Sequence, residues 1–335
     1  MRAALVEEIG SAPVVADVPA PEPGPGEALV RIEAACLSPV DLHICSGRFF
    51  DGPPRVPYVP GVEGAGVVEA GDELAPGTRV RVEFVHPGYG RDGALAQYAL
   101  VPERPDGARR ESQALAIPLD DRMDPVSAAA LGASAWTALM VLERAQQAGA
   151  ELEGAHVLVV GATGSVGQLA VQLARSMGAA WVIAAGRDRE RLERAAELGA
   201  DATVELDGHG LGERIAEAAG GRLDIALEPL WGAPARTVME SLTDGGVLVN
   251  FGQVAGSEAQ LPSLPLRNQR IAVVGHSGAW TTPEQRIAAF ERVQAIARSD
   301  GLTLDVDELS LDEVPDGWRR LQGSAGRKLV ARPTG

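Results

Sequence analysis

The sequence predicts an α/β chain of two domains, one a compact antiparallel β-barrel and the other a doubly wound parallel sheet. Three observations carry the prediction. At 335 residues the chain exceeds what one hydrophobic core comfortably serves. Residues 2–101 break into short β-rich runs separated by proline–glycine turns. From His156 onward, short apolar runs alternate with helical stretches of about a dozen residues, the βαβ rhythm of a parallel sheet.

In the first part, residues 2–6, 28–34, 66–70, 78–84 and 95–101 read as strands. Pro21-Glu22-Pro23-Gly24-Pro25-Gly26, Asp51-Gly52-Pro53-Pro54 and Ala75-Pro76-Gly77 punctuate them. Proline there removes a ladder donor, and glycine accepts turn conformations that other residues resist. A helix opens at Asp124-Pro125, where proline suits a first turn, and the alanine-rich residues 126–139 continue it. In the second part, residues 156–160, 181–185, 201–206, 223–227 and 247–251 are strands, with a further one within 268–276. Residues 283–298 form an amphipathic helix that starts at Thr282-Pro283-Glu284.

Composition narrows the function classes. The chain is 45% hydrophobic and 23% charged, as soluble globular proteins are. A formal charge of −16 supplies no basic face for nucleic acid and repels acidic lipid, so neither is an expected partner. The longest apolar runs fall short of a membrane span, and Met1-Arg2-Ala3-Ala4-Leu5-Val6 leads into acidic residues, so a cytoplasmic location is expected. Cys36 and Cys45 are too few for a disulfide framework or a four-thiolate metal site. Lys328 is the only lysine, a bias that reads as genomic base composition. A lone lysine near the C-terminus argues against imine chemistry.

The densest chemistry lies at Val157-Leu158-Val159-Val160-Gly161-Ala162-Thr163-Gly164-Ser165-Val166-Gly167. An apolar strand ends in a glycine-rich turn and a helix opens at once. Glycines let the backbone approach a pyrophosphate, and the helix N-terminus offers unpaired N–H groups and a positive dipole end. The next strand ends Ile183-Ala184-Ala185-Gly186-Arg187-Asp188, with Arg191 one turn further on. Small residues at the tip leave room for a 2′-phosphate, and Arg187 and Arg191 can clamp it, so NADP(H) is the expected cofactor. Asp188 leaves an alternative open. With the turn shifted by one residue it would accept from a ribose hydroxyl, as in NAD-specific sites.

Several motifs in order resemble the medium-chain dehydrogenase/reductase family, and within it the zinc-independent, quinone oxidoreductase-like branch. They are Ser38-Pro39-Val40-Asp41, Pro60-Gly61-Val62-Glu63-Gly64-Ala65-Gly66, Ala128-Ala129-Ala130-Leu131 with Thr137-Ala138, the glycine turn at 161–167, and Leu198-Gly199-Ala200-Asp201. The resemblance covers nearly the whole chain. It implies a GroES-like, mostly antiparallel β-barrel domain over 1–122, completed by 277–335, and a Rossmann domain over 123–276. It also implies an active site between the domains and a homodimer. Zinc-dependent relatives carry a cysteine and a histidine where Ser38 and Val62 stand here, and neither residue is a competent zinc ligand. Those relatives also carry a four-cysteine lobe near residues 84–110, a stretch without cysteine here. No metal is therefore expected.

Carried over position by position, the resemblance places Ser38 at the nicotinamide ribose or substrate, and Thr137 near the nicotinamide. Thr163, Gly164, Ser165 and Val166 would line the pyrophosphate, and Gly186, Arg187 and Arg191 the 2′-phosphate. Phe251-Gly252 would run under the nicotinamide, with His276-Ser277 at its far edge. His43 matches a proton-relaying histidine of zinc-dependent relatives, although a polar residue at a cleft rim is the simpler reading. Asp41 is expected to hold a turn or pair with an arginine, and Glu63 to be structural. Leu206 and the Phe49-Phe50 pair depart from tyrosines of related branches. His86, His156 and His209 show no metal-ligand spacing. Phe49, Phe50, Tyr58 and Trp280 would suit an apolar cleft or a core equally well.

The chemistry follows from the absent ligand set. Without a Lewis acid, the hydride acceptor must itself be electrophilic, which points to quinones or α,β-unsaturated carbonyls reduced by positioning. Ser38 or water would stabilise the developing oxyanion. Two alternatives stand beside this expectation: a tailoring ketone or enoyl reductase with a bulky substrate, and a non-catalytic NADPH-binding redox sensor.

Overall fold

A computed structural model describes residues 1–49, 52–84, 86–104, 114–207, 209–323 and 326–334. The chain divides into two compact units. The first comprises residues 1–133, 282–294 and 304–335, and the second residues 134–281 and 295–303. The sequence reading places the divisions at 122/123 and 276/277.

The first unit opens with β1 (Arg2–Leu5) and β2 (Val14–Asp17), an antiparallel pair. Next come β3 (Glu27–Leu37), α1 (Pro39–Cys45), β4 (Glu63–Ala70), β5 (Arg79–Phe84), β6 (Tyr98–Pro102) and β7 (Ala114–Pro118). β3 alternates buried and half-buried residues from Glu27 to Ala34 and is buried throughout from there to Leu37. Period-two alternation is the signature of a strand with one face on the core, and full burial that of a strand covered on both faces. α2 (Pro125–Gln147) follows and is broken at Gly132, whose φ of 18° and ψ of −129° leave the helical region. By length and composition α2 is apolar enough to cross a membrane, contrary to the sequence reading of the apolar runs, but 72% of its most apolar window is buried inside the protein. It is a core helix.

The second unit holds a six-stranded sheet of β8 (His156–Val160), β9 (Trp181–Gly186), β10 (Ala202–Glu205), β11 (Ile225–Glu228), β12 (Val247–Asn250) and β13 (Ala272–Gly275). All its pairings are parallel, in the order β10-β9-β8-β11-β12-β13. The helices α3 (Ser165–Ser176), α4 (Arg189–Glu197), α5 (Leu211–Ala218), α6 (Gly232–Glu240) and α7 (Ser263–Asn268) connect its strands. The strand order reverses between β8 and β11, the place where doubly wound sheets bind ligands.

The chain then runs through α8 (Pro283–Asp300), β14 (Val306–Ser310), α9 (Val314–Gln322) and β15 (Lys328–Arg332). β14 and β15 join the first unit's sheet, giving the path β14-β15-β3-β4-β5-β7, with β6 also pairing β3 on the edge opposite β4. Most of its pairings are antiparallel, but β14 and β15 pair in parallel. Among the described residues no ladder closes this path, and the sheet of the mostly antiparallel, GroES-like domain branches at β3. The sequence reading also misses β2 and β7. β2 is half-exposed and only 4 residues long, too short to display a period.

Candidate active site

Two constellations carry the candidate chemistry, one in each unit. In the first, Ser38 follows β3 and caps the N-terminus of α1, where Pro39 provides the first helical residue. The Asp41 carboxylate reaches back to accept from Ser38 N at 2.9 Å, the acidic half of a capping box. Its other oxygen accepts from Gly61 N at 2.9 Å and Val62 N at 3.1 Å. Asp41 thus ties the two segments singled out in the sequence together, as its turn-holding reading anticipates. Burial pushes its carboxyl up to about 7, against the pull of these three backbone donors.

Glu63, the first residue of β4, is 1% exposed and lies at the centre of this constellation. Its Oε1 accepts from Lys328 Nζ at 2.7 Å and from Ser38 Oγ at 3.2 Å. Its Oε2 accepts from Ala133 N at 2.6 Å and Arg81 Nη2 at 3.3 Å. The Ala133 N–H is free because the helix breaks at Gly132, and a Cβ on Gly132 would overlap Glu63 Oε2. Burial alone would raise the Glu63 carboxyl, but the Lys328 and Arg81 charges outweigh it and hold the group below the ordinary range. The ion chain continues from Arg81 to Glu83 at 2.8 Å and from Glu83 to Arg286 at 2.6 Å. Arg81 also lies over the Phe290 ring, 4.8 Å from its centroid.

Lys328 is the residue that the sequence reading misses. Its Nζ also donates to Ser38 Oγ at 3.2 Å. Burial would lower its pKa, but Glu63 more than compensates, so the ammonium is held above the ordinary lysine value. A fully protonated, ion-paired amine is no nucleophile, a firmer reason against imine chemistry than its place in the chain. The available signal was a lone lysine opening a buried strand in a chain that otherwise uses arginine.

His43 is exposed on α1 and meets Phe49 edge-on, with ring centroids 5.8 Å apart. Phe49 in turn meets His86 at 5.1 Å, and His86 meets Tyr89 at 5.8 Å. Phe50 lies outside the described residues. Tyr58 is 3% exposed and belongs to the core, whereas Trp280 is 77% exposed. Among the described residues no carboxylate or carbonyl orients the His43 ring, and an exposed imidazole of that kind is a weak proton relay. His43→Ala should therefore lower kcat less than about tenfold, roughly 1.4 kcal/mol. A loss on the order of a thousandfold would make His43 the general acid.

In the second unit the glycine turn follows β8. Gly161 has φ +73°, and Gly164 starts α3 without a side-chain cap, leaving the first N–H groups of the helix unpaired. A Cβ on Gly167 would overlap the Gly161 carbonyl and lie 2.6 Å from Ala162 Cα, so only glycine lets α3 pack this close. Thr163 leans against the tip of β9, where a Cβ on Gly186 would lie 2.6 Å from its Cγ2. Pro229, just after β11, sits 3.2 Å from the Cβ position of Gly161, and its carbonyl fills the Cβ position of Gly252. The fold therefore brings Thr163, Gly164, Ser165, Val166, Gly186 and Gly252 to one end of the sheet, at the strand-order reversal.

Glu228 fixes this end. Its carboxylate accepts from Leu230 N at 2.9 Å and Trp231 N at 2.8 Å, holding Trp231 at an unfavourable φ of 55°. Asn250 bridges the Glu228 carbonyl at 3.1 Å and the Gly252 carbonyl at 2.7 Å, which seats Phe251-Gly252. His276 N donates to Asn250 O at 2.8 Å. Burial first, and then the Arg144 charge, lower the pKa of its ring. Trp136, the neighbour of Thr137, packs on Gly278, where a Cβ would lie 2.9 Å from its Cη2. Thr137 and His276-Ser277 are thereby neighbouring segments, with Ser277 exposed.

At the β9 tip the two arginines are not equivalent. Asp188 caps α4, accepting from Arg191 N at 3.2 Å, and its second oxygen lies 3.2 Å from Arg191 Nε. Arg187 is exposed and forms no ion pair among the described residues. Leu206 N donates to Gly186 O at 2.7 Å, which puts Leu206 beside the tip. Among the described residues, no three His, Cys, Asp or Glu side chains converge as a metal-ligand set.

Two family models match the chain: an alcohol dehydrogenase GroES-like domain over residues 24–105, and a zinc-binding dehydrogenase domain over residues 165–294. An alcohol dehydrogenase of Geobacillus stearothermophilus is 30% identical over 276 residues, covering 75% of this chain and 77% of that protein. The chain is a medium-chain dehydrogenase/reductase. Within the family it is quinone oxidoreductase-like. A chloroplastic quinone-oxidoreductase homologue of Spinacia oleracea is 28% identical over 330 residues, covering 95% of this chain and 93% of that one. The quinone oxidoreductase of Thermus thermophilus, whose crystal structures include a complex with NADPH, superposes with a TM-score of 0.77 at 30% identity, covering 99% of this chain and 100% of that one. This medium-chain dehydrogenase/reductase is thus an oxidoreductase with the fold of a nicotinamide-dinucleotide enzyme. The close-packed glycine turn and the unpaired N–H groups of α3 fit a pyrophosphate.

Proposed function

We propose that this enzyme is an NADPH-dependent, zinc-independent reductase of quinones or α,β-unsaturated carbonyls. The observation that carries the reading is the state of Glu63. Both its oxygens are occupied by Lys328, Ser38, Arg81 and Ala133, and Ser38 and Val62 flank it where thiolate and imidazole would be needed to hold zinc. Arg187 beyond Gly186 supports the 2′-phosphate form of the cofactor. An exposed guanidinium with no ion pair among the described residues can meet a phosphate with paired bonds.

A bound reduced nicotinamide would supply the hydride. The residues of the chain do the rest by position. The turn at 161–167 and the first N–H groups of α3 would hold the pyrophosphate, and Asn250 keeps Phe251-Gly252 seated. Ser38 Oγ offers a hydroxyl to the acceptor oxygen as its negative charge grows, and water then supplies the proton. Catalysis of this kind suits acceptors that are already electron-poor.

The test is oxidation of NADPH with small quinones and enones, with and without a chelator, alongside elemental analysis. Turnover should be indifferent to chelation, and purified protein should hold well under one zinc per chain. Activity that disappears on chelation and returns with zinc would overturn the reading.

A further inference from the structure

The geometry points to Lys328 as the positioning residue of the active site: its ammonium holds Ser38 Oγ from behind, so that the hydroxyl hydrogen, which meets Glu63 Oε1, can turn to the acceptor oxygen. The inference rests on the functional reading above and assigns a role to a side chain that neither the sequence motifs nor the hydride chemistry called for.

Three features carry it. Lys328 is buried at 6% exposure, with Ser38 at 5%, so neither group exchanges its partners freely with water. The distances are unequal: Lys328 Nζ to Glu63 Oε1 is 2.7 Å, whereas Nζ to Ser38 Oγ and Ser38 Oγ to Glu63 Oε1 are both 3.2 Å. Glu63 therefore has its strong partner in the ammonium, and the hydroxyl's bond to it is the longer, exchangeable one. Once an acceptor oxygen takes the hydroxyl hydrogen, Glu63 keeps its bond to Lys328, and Ser38 Oγ remains pinned by the ammonium. A positive charge behind the oxygen also strengthens the hydroxyl as a donor. The fixed cation thus stands beside the position where zinc-dependent relatives keep a metal ligand, and it acts through the serine. No bond is made or broken at Lys328.

The kinetic test is a double-mutant cycle on the full-length enzyme with NADPH and a small quinone. Ser38→Ala and Lys328→Met should each lower kcat on the order of tenfold to a hundredfold, the range of one charge-assisted hydrogen bond, with KM changed less than about threefold. The double variant should be no slower than the slower single one. Multiplying losses would show that Lys328 serves Glu63 and the fold, and would overturn the inference. Lys328→Arg should recover part of the rate, because it restores a buried donor.

Lys328→Met strands a buried carboxylate, which puts folding itself at risk, so a second measurement uses Ser38→Ala alone. Because Lys328 is the only lysine, protein labelled with 15Nζ-lysine gives one ammonium resonance. That resonance should shift on Ser38→Ala and, in the wild type, keep its protonated position as pH reaches the ordinary lysine value of 10.5, because Glu63 holds the ammonium above it. A resonance indifferent to Ser38→Ala would overturn the inference whatever the turnover. Wild-type protein inert toward quinones and enones, with the resonance shifted as expected, would refute the substrate reading and leave the Lys328–Ser38 contact standing.

Discussion

Glu63→Ala should cost about 3–5 kcal/mol of stability, the loss typical of removing one partner from a buried ion pair. The substitution leaves Lys328 and Arg81 buried at 6% and 0% exposure without their shared carboxylate, and it frees the Ala133 N–H. The cost is mainly that of uncompensated buried charge rather than the net worth of the pairing. An exposed pair sets the scale: removing Glu308, 3.3 Å from Arg332, should cost under about 1 kcal/mol because water screens it. Denaturant midpoints at unchanged slope would measure both. A Glu63→Ala loss as small as that at Glu308 would show that the ion chain is not central to the fold. The sign with pH follows from the depressed carboxyl. Its stabilisation is present above the ordinary glutamate value of 4.5 and is lost as pH falls through the lower folded value.

Replacing Arg187 and Arg191 together by alanine should raise the KM for NADPH roughly a hundredfold and leave that for NADH nearly unchanged. Each charge-assisted bond to a phosphate contributes about 1.5–3 kcal/mol, and exposure at the β9 tip favours the lower end. Two such bonds at about tenfold each give the expected factor. The shares should be unequal. Arg191 must leave Asp188, 3.2 Å from its Nε, to meet a phosphate, whereas Arg187 has no ion pair to break among the described residues. Arg187→Ala alone should therefore account for more than half of the free-energy loss. Equal weakening of both cofactors would mean that the arginines support the fold. A wild type that prefers NADH would make Asp188 the ribose acceptor.

The nucleotide half was legible because its signals are local. An apolar strand, a glycine turn and a helix follow one another within residues 156–176, and the structure forms β8, the turn and α3 there. The ends of β9, β11 and β12 were equally readable, since each apolar run stops within one residue of a strand's end. Glu228, whose carboxylate seats Trp231, gave no sequence signal beyond an acidic residue ending an apolar run. The first unit was harder. Ser38, Asp41 and Glu63 stood out from their motifs, but their partners come from far along the chain. Arg81 and Glu83 look like an ordinary alternating strand, and Arg286 like the polar face of a helix. Only tertiary contact turns these three into a buried ion chain. Lys328 was visible and reads, in sequence, as a compositional accident. The parallel pairing of β14 and β15 within a mostly antiparallel sheet was equally invisible, because no local pattern encodes it.

The last strand has a consequence for the order of events during synthesis. β15 pairs Leu329 with Leu37 and Val330 with Cys36, and Lys328 reaches Ser38 across 290 positions. A ribosome delivers residues 134–281 before β15, so most of the nucleotide unit can begin to fold as it emerges. The opening segment must wait with the far end of β3 unpaired and Glu63 without its ammonium. Closing so long a loop is slow. The nascent chain thus acquires its glycine turn early and the ammonium behind Ser38 almost last, which leaves the β3 end an unpaired edge for chaperones to cover in the meantime.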